Sequence, residues 1–166
     1  TYDGAALRYF VNDKYDLVLG TSVGYSQNNL PFSFLNTSIP VDTSYDQSTQ
    51  GLIDNINIFD GVATKVRDYD EHADKLIIDL AFDGENNSTK IVDNGILKSD
   101  WTVNGNAKIS TDQKFDGFSS LYLPDYSSTI TSKIGFNFSN DWTVSFQFKS
   151  NVEPDSGIDT LFFKNI

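Results

Sequence analysis

Acidic side chains are the most plentiful chemically capable groups in this chain. Its 23 acids comprise 20 aspartates and only three glutamates, Glu71, Glu85 and Glu153. Glutamate is favoured in helices, whereas aspartate is favoured in caps and turns and as an oxygen ligand for calcium. This choice of acid predicts few helices, and it makes calcium the metal that the chain is best suited to bind.

Nucleophilic and thiolate chemistry have few candidate residues. The chain has no cysteine and a single histidine, His72, so disulfides, thiolate zinc sites and cysteine nucleophiles are excluded. His72 follows Asp70 and Glu71 in a charged stretch, and a catalytic triad would also require a positioned nucleophile and an orienting acid. We therefore expect a solvated and inert His72, no catalytic residues and no enzymatic activity.

The net charge restricts the partners of the chain. It is −11, and the twelve Lys and Arg residues are scattered, so the clustered cations that neutralise phosphates are missing and nucleic acid is not an expected partner. No apolar stretch approaches the roughly 20 residues of a membrane span, and no signal-peptide core is visible. We expect a soluble segment, about one domain long, that does not insert into a membrane.

Apolar and polar residues alternate in several short stretches, which is typical of strands with one buried face. In the clearest stretch, 141–149, the residues expected to face a core are Trp142, Val144, Phe146 and Phe148. A hairpin is expected over 7–19, and further strands at 32–34, 51–59, 76–82, 106–111, 118–124, 134–138 and 158–163. Many short strands separated by Asn, Asp and Gly turns predict an all-β, antiparallel β-sandwich.

Asp54 is the acid that stands out within a predicted strand. By alternation it shares a face with Leu52, Ile56 and Ile58, and a carboxylate among aliphatic side chains is costly unless it is hydrogen-bonded or binds a metal. One interpretation makes Asp54 a calcium ligand, because Ca²⁺ takes oxygens from carboxylates, carbonyls and water. The other places Asp54 at the strand end, where its carboxylate accepts backbone N–H bonds.

Residues 60–75 interrupt the alternation with mixed charge and the turn signal Asp60-Gly61, so we expect a linker or a helical turn there and a boundary near residue 73. The chain opens at Thr1 without a methionine and stops at Ile166 inside an apolar run. We expect both ends to be cuts within a longer polypeptide.

Five stretches resemble the laminin-G-like repeats of extracellular and virion surface proteins, which belong to the concanavalin A-like lectin and glucanase superfamily. Residues 1–13, TYDGAALRYFVND, resemble the central hairpin of such a repeat, and residues 51–63, GLIDNINIFDGVA, resemble its closing strand. Residues 78–84, IDLAFDG, resemble the opening strand, and 103–124 with 140–148 resemble the segments that follow it. The C-terminal part of one repeat thus precedes the N-terminal part of the next.

The resemblance implies the jelly-roll sandwich of that superfamily in two parts. Residues 1–73 would form the C-terminal half of one laminin-G-like domain, and residues 74–166 the N-terminal half of the following one. Either the two halves close on each other as one permuted sandwich, or each pairs with strands outside this chain. An open sandwich would expose apolar faces to water and leave strand edges unpaired. We therefore expect the sandwich to be closed in one of these two ways.

The resemblance also implies a role at an extracellular or virion surface. It points to a non-catalytic structural or adhesion module that joins other repeats or subunits and meets glycans or receptors through its loops. The alternative is a carbohydrate-binding module attached to a secreted enzyme. A third role, hydrolase, would need two opposed carboxylates, which this superfamily carries in a Glu-x-Asp-x-x-Glu strand that is missing here. The resemblance implies no required cofactor, but a structural calcium ion could be held by Asp54 and Asp83.

Aromatic side chains are the candidates for glycan contact, because such folds commonly use an aromatic platform beside polar loop residues. Those in or near loop-like sequence are Tyr25, Tyr45, Trp101 and Tyr126. The competing interpretation is that tyrosines in β proteins are partly buried packing residues with a bonded hydroxyl.

Overall fold

The chain folds into antiparallel β-strands joined by turns. A computed structural model describes residues 6–11, 14–20, 31–34, 51–61, 73–112, 114, 117–125, 127–135, 141–150 and 163–164. The strands are β1 (Ala6–Val11), β2 (Lys14–Gly20), β3 (Pro31–Phe34), β4 (Gly51–Phe59), β5 (Leu76–Leu80), β6 (Trp101–Asn104), β7 (Lys108–Ser110), β8 (Ser120–Leu123), β9 (Thr129–Gly135), β10 (Thr143–Ser150) and β11 (Phe163–Lys164).

Helix is almost absent from these ranges. The one helical element within them is a single 3-10 turn, Ala73–Lys75, at the point where the sequence predicted a linker or helical turn. Over the same ranges, no helix has the length and apolar character to cross a bilayer. The predicted all-β class is therefore confirmed.

The strands form three antiparallel sheets. The pairings are β1 with β2, then the order β10-β4-β8-β7 with β5 also paired to β4, and the order β11-β3-β9-β6. Because every pair is antiparallel, turns and loops can join the strands without the crossover helices that parallel sheets need.

β4 is the central strand of the five-stranded sheet. One edge pairs with β10, from Phe59 opposite Thr143 to Gly51 opposite Ser150. The other edge is divided, since residues 56–59 pair with β5 and residues 51–53 pair with β8. Buried residues occupy every position of β4 except Asn55. With both edges paired and both faces covered, β4 is a nearly continuous buried strand rather than a half-buried one.

A β-bulge interrupts β4 near its middle. The pairing with β10 shifts between Ser145 and Gln147, so that Asn55 and Ile56 together oppose Phe146. Asn55 has a φ of 50°, a left-handed conformation that asparagine adopts more readily than most residues. The bulge therefore inserts one extra residue into the strand.

The extra residue changes which side chains share a face. Ile53, Ile56 and Ile58 all belong to the core cluster, although Ile53 and Ile56 are three positions apart. Asp54 therefore falls on the opposite face of β4. The prediction that Asp54 shares a face with Ile56 and Ile58 is wrong, because simple alternation does not anticipate a bulge.

One apolar cluster draws its residues from two of the sheets. The five-stranded sheet and the turns next to it contribute Ile53, Ile56, Ile58, Ile78, Leu80, Phe82, Ala107, Ile109, Leu121 and Leu123. The sheet that contains β6 and β9 contributes Trp101 and Ile130. Burial of these side chains is the main favourable contribution to the stability of this region, at about 25 cal/mol for each Å² of apolar surface removed from water.

The edge of β5 that faces away from β4 is covered by a loop. Backbone N–H groups in residues 94–97 donate three hydrogen bonds to carbonyls in residues 76–79. Gly95 allows this close approach, because a Cβ at that position would lie 2.6 Å from both Ile77 O and Ile78 Cα. A covered edge cannot pair with a foreign strand.

The close approach at Gly95 leads to a stability prediction. Gly95→Ala is expected to lower the free energy of unfolding by roughly 1–3 kcal/mol, since the new methyl group would push the loop away from β5. Urea denaturation measures the change. Gly84→Ala is the control, because its nearest neighbour atom would be 3.7 Å away. Equal losses in the two variants would contradict the packing argument.

Several strands follow the sequence prediction. The expected hairpin is β1 with β2, paired from Leu7 opposite Leu19 to Val11 opposite Lys14, although its turn lies outside the described residues. β3, β4 and β10 also fall where alternation placed them. The four side chains of 141–149 that were expected to face a core all pack against it: Trp142, Val144, Phe146 and Phe148.

Two strands were misplaced or missed. The strand expected at 134–138 instead starts at Thr129, and residues 136–140 lie outside the described ranges. β6 was not predicted at all. Buried polar residues obscure the apolar pattern here, since Thr129 and Ser132 are buried beside Ile130, and their hydroxyls bond Asn104 Nδ2 and Ile134 O.

Candidate ligand-binding site

Asp83 joins two loops at the point where β5 ends and β8 begins. Its Oδ1 accepts a hydrogen bond from the N–H of Phe118 at 2.6 Å and another from the N–H of Ser119 at 3.3 Å. β5 and β8 pair with consecutive parts of β4, so the junction lies beside the middle of that strand. Asp83 thus attaches the loop before β8 to the end of β5.

Glycine is required next to this contact. Gly117 has a φ of +63°, and a Cβ on it would lie 2.4 Å from Asp83 Oδ1. Any other residue would clash with the carboxylate and would also adopt a disfavoured backbone conformation. Gly117 therefore lets the carboxylate reach the N–H of Phe118.

Ser119 stabilises the junction through hydrogen bonds of its buried hydroxyl group. It is fully buried, and its Oγ accepts a hydrogen bond from Gly84 N–H at 2.9 Å and donates to Phe82 O at 2.9 Å. A buried hydroxyl with both roles satisfied stabilises the backbone on either side of Asp83.

The two loops are also joined beyond the junction. Asn87 N–H donates to Ile109 O, and Ile109 N–H donates to Ser88 O, both at 2.8 Å. Thr111 N–H donates to Asn86 Oδ1 at 3.3 Å. These bonds anchor the segment after Asp83 to β7 and to the residues that follow it.

An aromatic ring projects from this anchored region. Phe118 is 76% exposed, the highest value among the described large apolar side chains, although its own backbone N–H is held by Asp83. Lys114 Nζ lies 5.9 Å from the ring centroid, within the range of a cation–π contact. We call Asp83, Asn86, Lys114 and Phe118 the Asp83 seam.

The Asp83 seam offers binding chemistry. It presents an exposed ring, a carboxylate that accepts hydrogen bonds, and amide and ammonium groups that donate them. Sequence reasoning selected Asp83, but as a metal ligand, and it missed Phe118. A signal for Phe118 was present, because it directly follows the turn signal Asp116-Gly117 in the sequence, and turns lie at the surface.

Asp54 lies in the interior of β4. It is 1% exposed, and its Oδ1 accepts a hydrogen bond from the N–H of Asn55 at 2.9 Å. A bonded backbone N–H matches the second interpretation of this residue, although Asp54 sits at the bulge rather than at the strand end.

The predicted calcium site has two named residues on the same junction of β4, β5 and β8. Both carboxylates already accept backbone N–H bonds. Within the described ranges, no group of three or more His, Cys, Asp or Glu side chains is arranged to hold a metal. Calcium usually needs six to eight oxygens, which backbone carbonyls and water can also supply. Calcium binding stays a prediction and carries no part of the proposals below.

A second pair of acids, Asp79 and Asp93, lies where the loop at residues 94–97 meets β5. Asp93 is buried, and its carboxylate accepts N–H bonds from Asp79 at 3.0 Å and from Gly95 and Ser99 at 2.9 Å each. Burial, and then the negative charge of Asp93, raise the pKa of Asp79. Asp93 therefore anchors the loop that covers β5, and the charge of Asp79 is an electrostatic cost of that arrangement.

This cost makes a pH-dependent prediction. Because the folded state raises the pKa of Asp79 above 3.8, its ionised form destabilises the fold at neutral pH. Asp79→Asn is expected to increase stability at pH 7, and the gain is expected to shrink as the pH falls through the raised pKa and to vanish below 3.8. Urea denaturation at pH 7, 5 and 3.5 measures this, and a gain that stays constant over the series would contradict it.

The carboxylate of Asp125 accepts hydrogen bonds from its own turn and from Asn106. Asp125 accepts bonds from Ser127 N–H and Oγ, from Ser128 Oγ and from Asn106 Nδ2. The hydroxyl of Ser127 and the amide of Asn106 are the main causes that lower its pKa to about 2. Both carboxylate oxygens of this residue accept bonds from the protein itself, so the turn has less capacity for a ligand than the Asp83 seam.

The aromatic candidates from the sequence have mixed outcomes. Trp101 is 8% exposed and belongs to the core cluster, so it is not a platform. The other three lie outside the described residues, as does the lone histidine: Tyr25, Tyr45, Tyr126 and His72.

The comparisons with known proteins leave these geometric observations as the basis for a functional proposal. The chain matches no protein-family model, no curated protein and no solved structure.

Proposed function

We propose that this chain is a non-catalytic structural and adhesion module of the laminin-G-like kind, which acts at a cell or virion surface through its loops. In this proposal residues 1–73 and 74–166 close on each other as one permuted sandwich. The observation that carries this closure is the pairing of β4. All three of its partner strands, β5, β8 and β10, come from the second half.

Two further observations support closure. β3, also from the first half, pairs with β9 and β11 from the second. The core cluster includes Ile53 and Ile56 from the first half, Leu121 from the second, and Ile130 from the other sheet. Side chains of two sheets in one core are typical of stacked sheets.

The loops support a binding role over a catalytic one. Asp93, whose negative charge acts on Asp79, accepts three backbone N–H bonds, which is the role of a loop anchor. The Asp83 seam has an exposed ring and hydrogen-bonding groups but no activated nucleophile. A rigid scaffold that presents such loops is suited to adhesion.

A multivalent adhesion assay tests the proposed function. Fluorescent beads that carry many copies of the full chain convert weak contacts into measurable avidity, and they are applied to whole cells, to a glycan array and to insoluble plant polysaccharides. Specific adhesion to cells or array glycans is the expected result. Hydrolysis of a β-glucan panel would refute the non-catalytic assignment, and no adhesion to any surface would refute the adhesion role.

The alternative is a carbohydrate-binding module of a secreted enzyme. The exposed ring of Phe118 supports this alternative as well as the adhesion role. The same beads distinguish the two, because such a module is expected to bind insoluble polysaccharide and to leave cells unlabelled.

A further inference from the structure

We propose that the Asp83 seam is a binding site for a neutral carbohydrate. One sugar ring stacks on Phe118, and its hydroxyl groups bond Asp83 and its polar neighbours. This inference rests on the proposed adhesion role and gives it a ligand class and a location.

The ring of Phe118 is presented in a way that suits stacking. It is 76% exposed, so a face is accessible, and the flanking backbone is restrained by Asp83 and by buried Ser119. A rigid aromatic side chain loses little conformational entropy when it binds. The electron-rich face of an aromatic ring attracts the weakly positive C–H groups of a sugar.

Hydrogen-bond donors and acceptors lie on the same two loops as the ring. Asp83 uses Oδ1 for backbone N–H bonds, while Oδ2 accepts none from the described residues and remains for a ligand hydroxyl. Asn86 uses its Oδ1 for Thr111 N–H, which leaves its amide N–H groups as donors. Lys114 is exposed beside the ring. Sugar hydroxyls both donate and accept, so they match this mixture of groups.

Charge selects a neutral ligand. The chain has a net charge of −11. Among the described residues of 83–90 and 111–119, the exposed acids are Asp83, Glu85 and Asp112 and the exposed cations are Lys90 and Lys114. A sialylated or sulfated glycan would be repelled at long range and would meet a carboxylate at the contact. A neutral hexose avoids both costs.

The test uses the full chain as beads on an array that holds neutral glycans, with terminal mannose, glucose, galactose or N-acetylhexosamine, and sialylated and sulfated glycans. The strongest neutral hit is then titrated as a free oligosaccharide by NMR. Phe118→Ala and Asp83→Asn are each expected to weaken its affinity by about tenfold or more.

Matched variants separate binding from folding. Asp83→Asn retains an Oδ1 that can accept the Phe118 N–H bond, so the turn is preserved while Oδ2 is replaced. Ile134→Ala removes another exposed apolar side chain, which is 44% exposed and lies on β9, and it is expected to leave the affinity unchanged. Amide spectra verify that all three variants are folded.

The outcomes distinguish this inference from the proposed function. Neutral binding that survives Phe118→Ala, binding restricted to acidic glycans, or adhesion to cells without any glycan binding would each overturn the site and leave the adhesion role intact. Absence of adhesion in every assay would remove the proposed function and this inference with it.

Discussion

Replacement of Asp93 by alanine is expected to lower the free energy of unfolding by about 3 kcal/mol or more, because backbone donors at three places would lose their acceptor. The N–H groups of Gly95 and Ser99 that bond this carboxylate are buried, and that of Asp79 is partly buried. Urea denaturation at pH 7 measures the change, and hydrogen exchange at residues 94–97 is expected to accelerate as the loop leaves β5.

Two variants test the mechanism of this loss. Asp100→Ala removes an exposed acid whose partner is Lys133 at 3.5 Å, and it is expected to change stability by no more than about 0.5 kcal/mol. Asp93→Asn retains one acceptor oxygen and is expected to fall between wild type and Asp93→Ala. If Asp93→Ala were no more harmful than Asp100→Ala, Asp93 would not be the anchor of the loop.

Replacement of Ile56 by alanine is expected to cost about 2–5 kcal/mol, the range for large-to-small changes in a packed core. Ile56 is fully buried, lies beside the bulge and pairs with Leu80. Because β4 joins β10 to β5 and β8, hydrogen exchange is expected to accelerate in all of these strands together.

This second experiment also examines the closure of the two halves. Near-ultraviolet circular dichroism and tryptophan fluorescence are expected to show one coincident unfolding transition in wild type, shifted as a whole in Ile56→Ala. Ile134→Ala, at a site 44% exposed, is expected to shift it by about 0.5 kcal/mol or less. Unchanged exchange in 76–80 and 120–123 after Ile56→Ala would mean that the halves do not share a core.

The sequence predicted a strand correctly where one face of the strand is exposed to solvent or where the strand follows a short turn. β10 alternates from Thr143 onward because its apolar side chains pack on the core while Gln147 and Lys149 are exposed. The β1–β2 hairpin was predictable because its two apolar segments are adjacent in the chain. The four-residue β6 was missed because few apolar residues mark it or its partner β9.

The acids were harder to assign from sequence. Asp54, Asp83 and Asp93 all follow apolar segments. One lies beside a bulge, one joins the loop after β5 to the loop before β8, and one anchors a later part of the loop after β5. Their partners are backbone N–H groups as many as 36 positions away, such as Ser119 for Asp83. Backbone donors occur at every non-proline residue, so the sequence contains no signal that selects among them.

By itself, the sequence determined the β class, the positions of several strands and the limits on chemistry set by a missing cysteine and a net charge of −11. These follow from side-chain type and from the two-residue period of a strand, which are local properties. Only the tertiary structure decided that β4 pairs with strands from the second half, that Asn55 shifts the faces of that strand, and that Trp101 is buried while Phe118 is exposed. Those outcomes depend on contacts between distant residues, and the energy of such contacts exists only once the chain has closed around them.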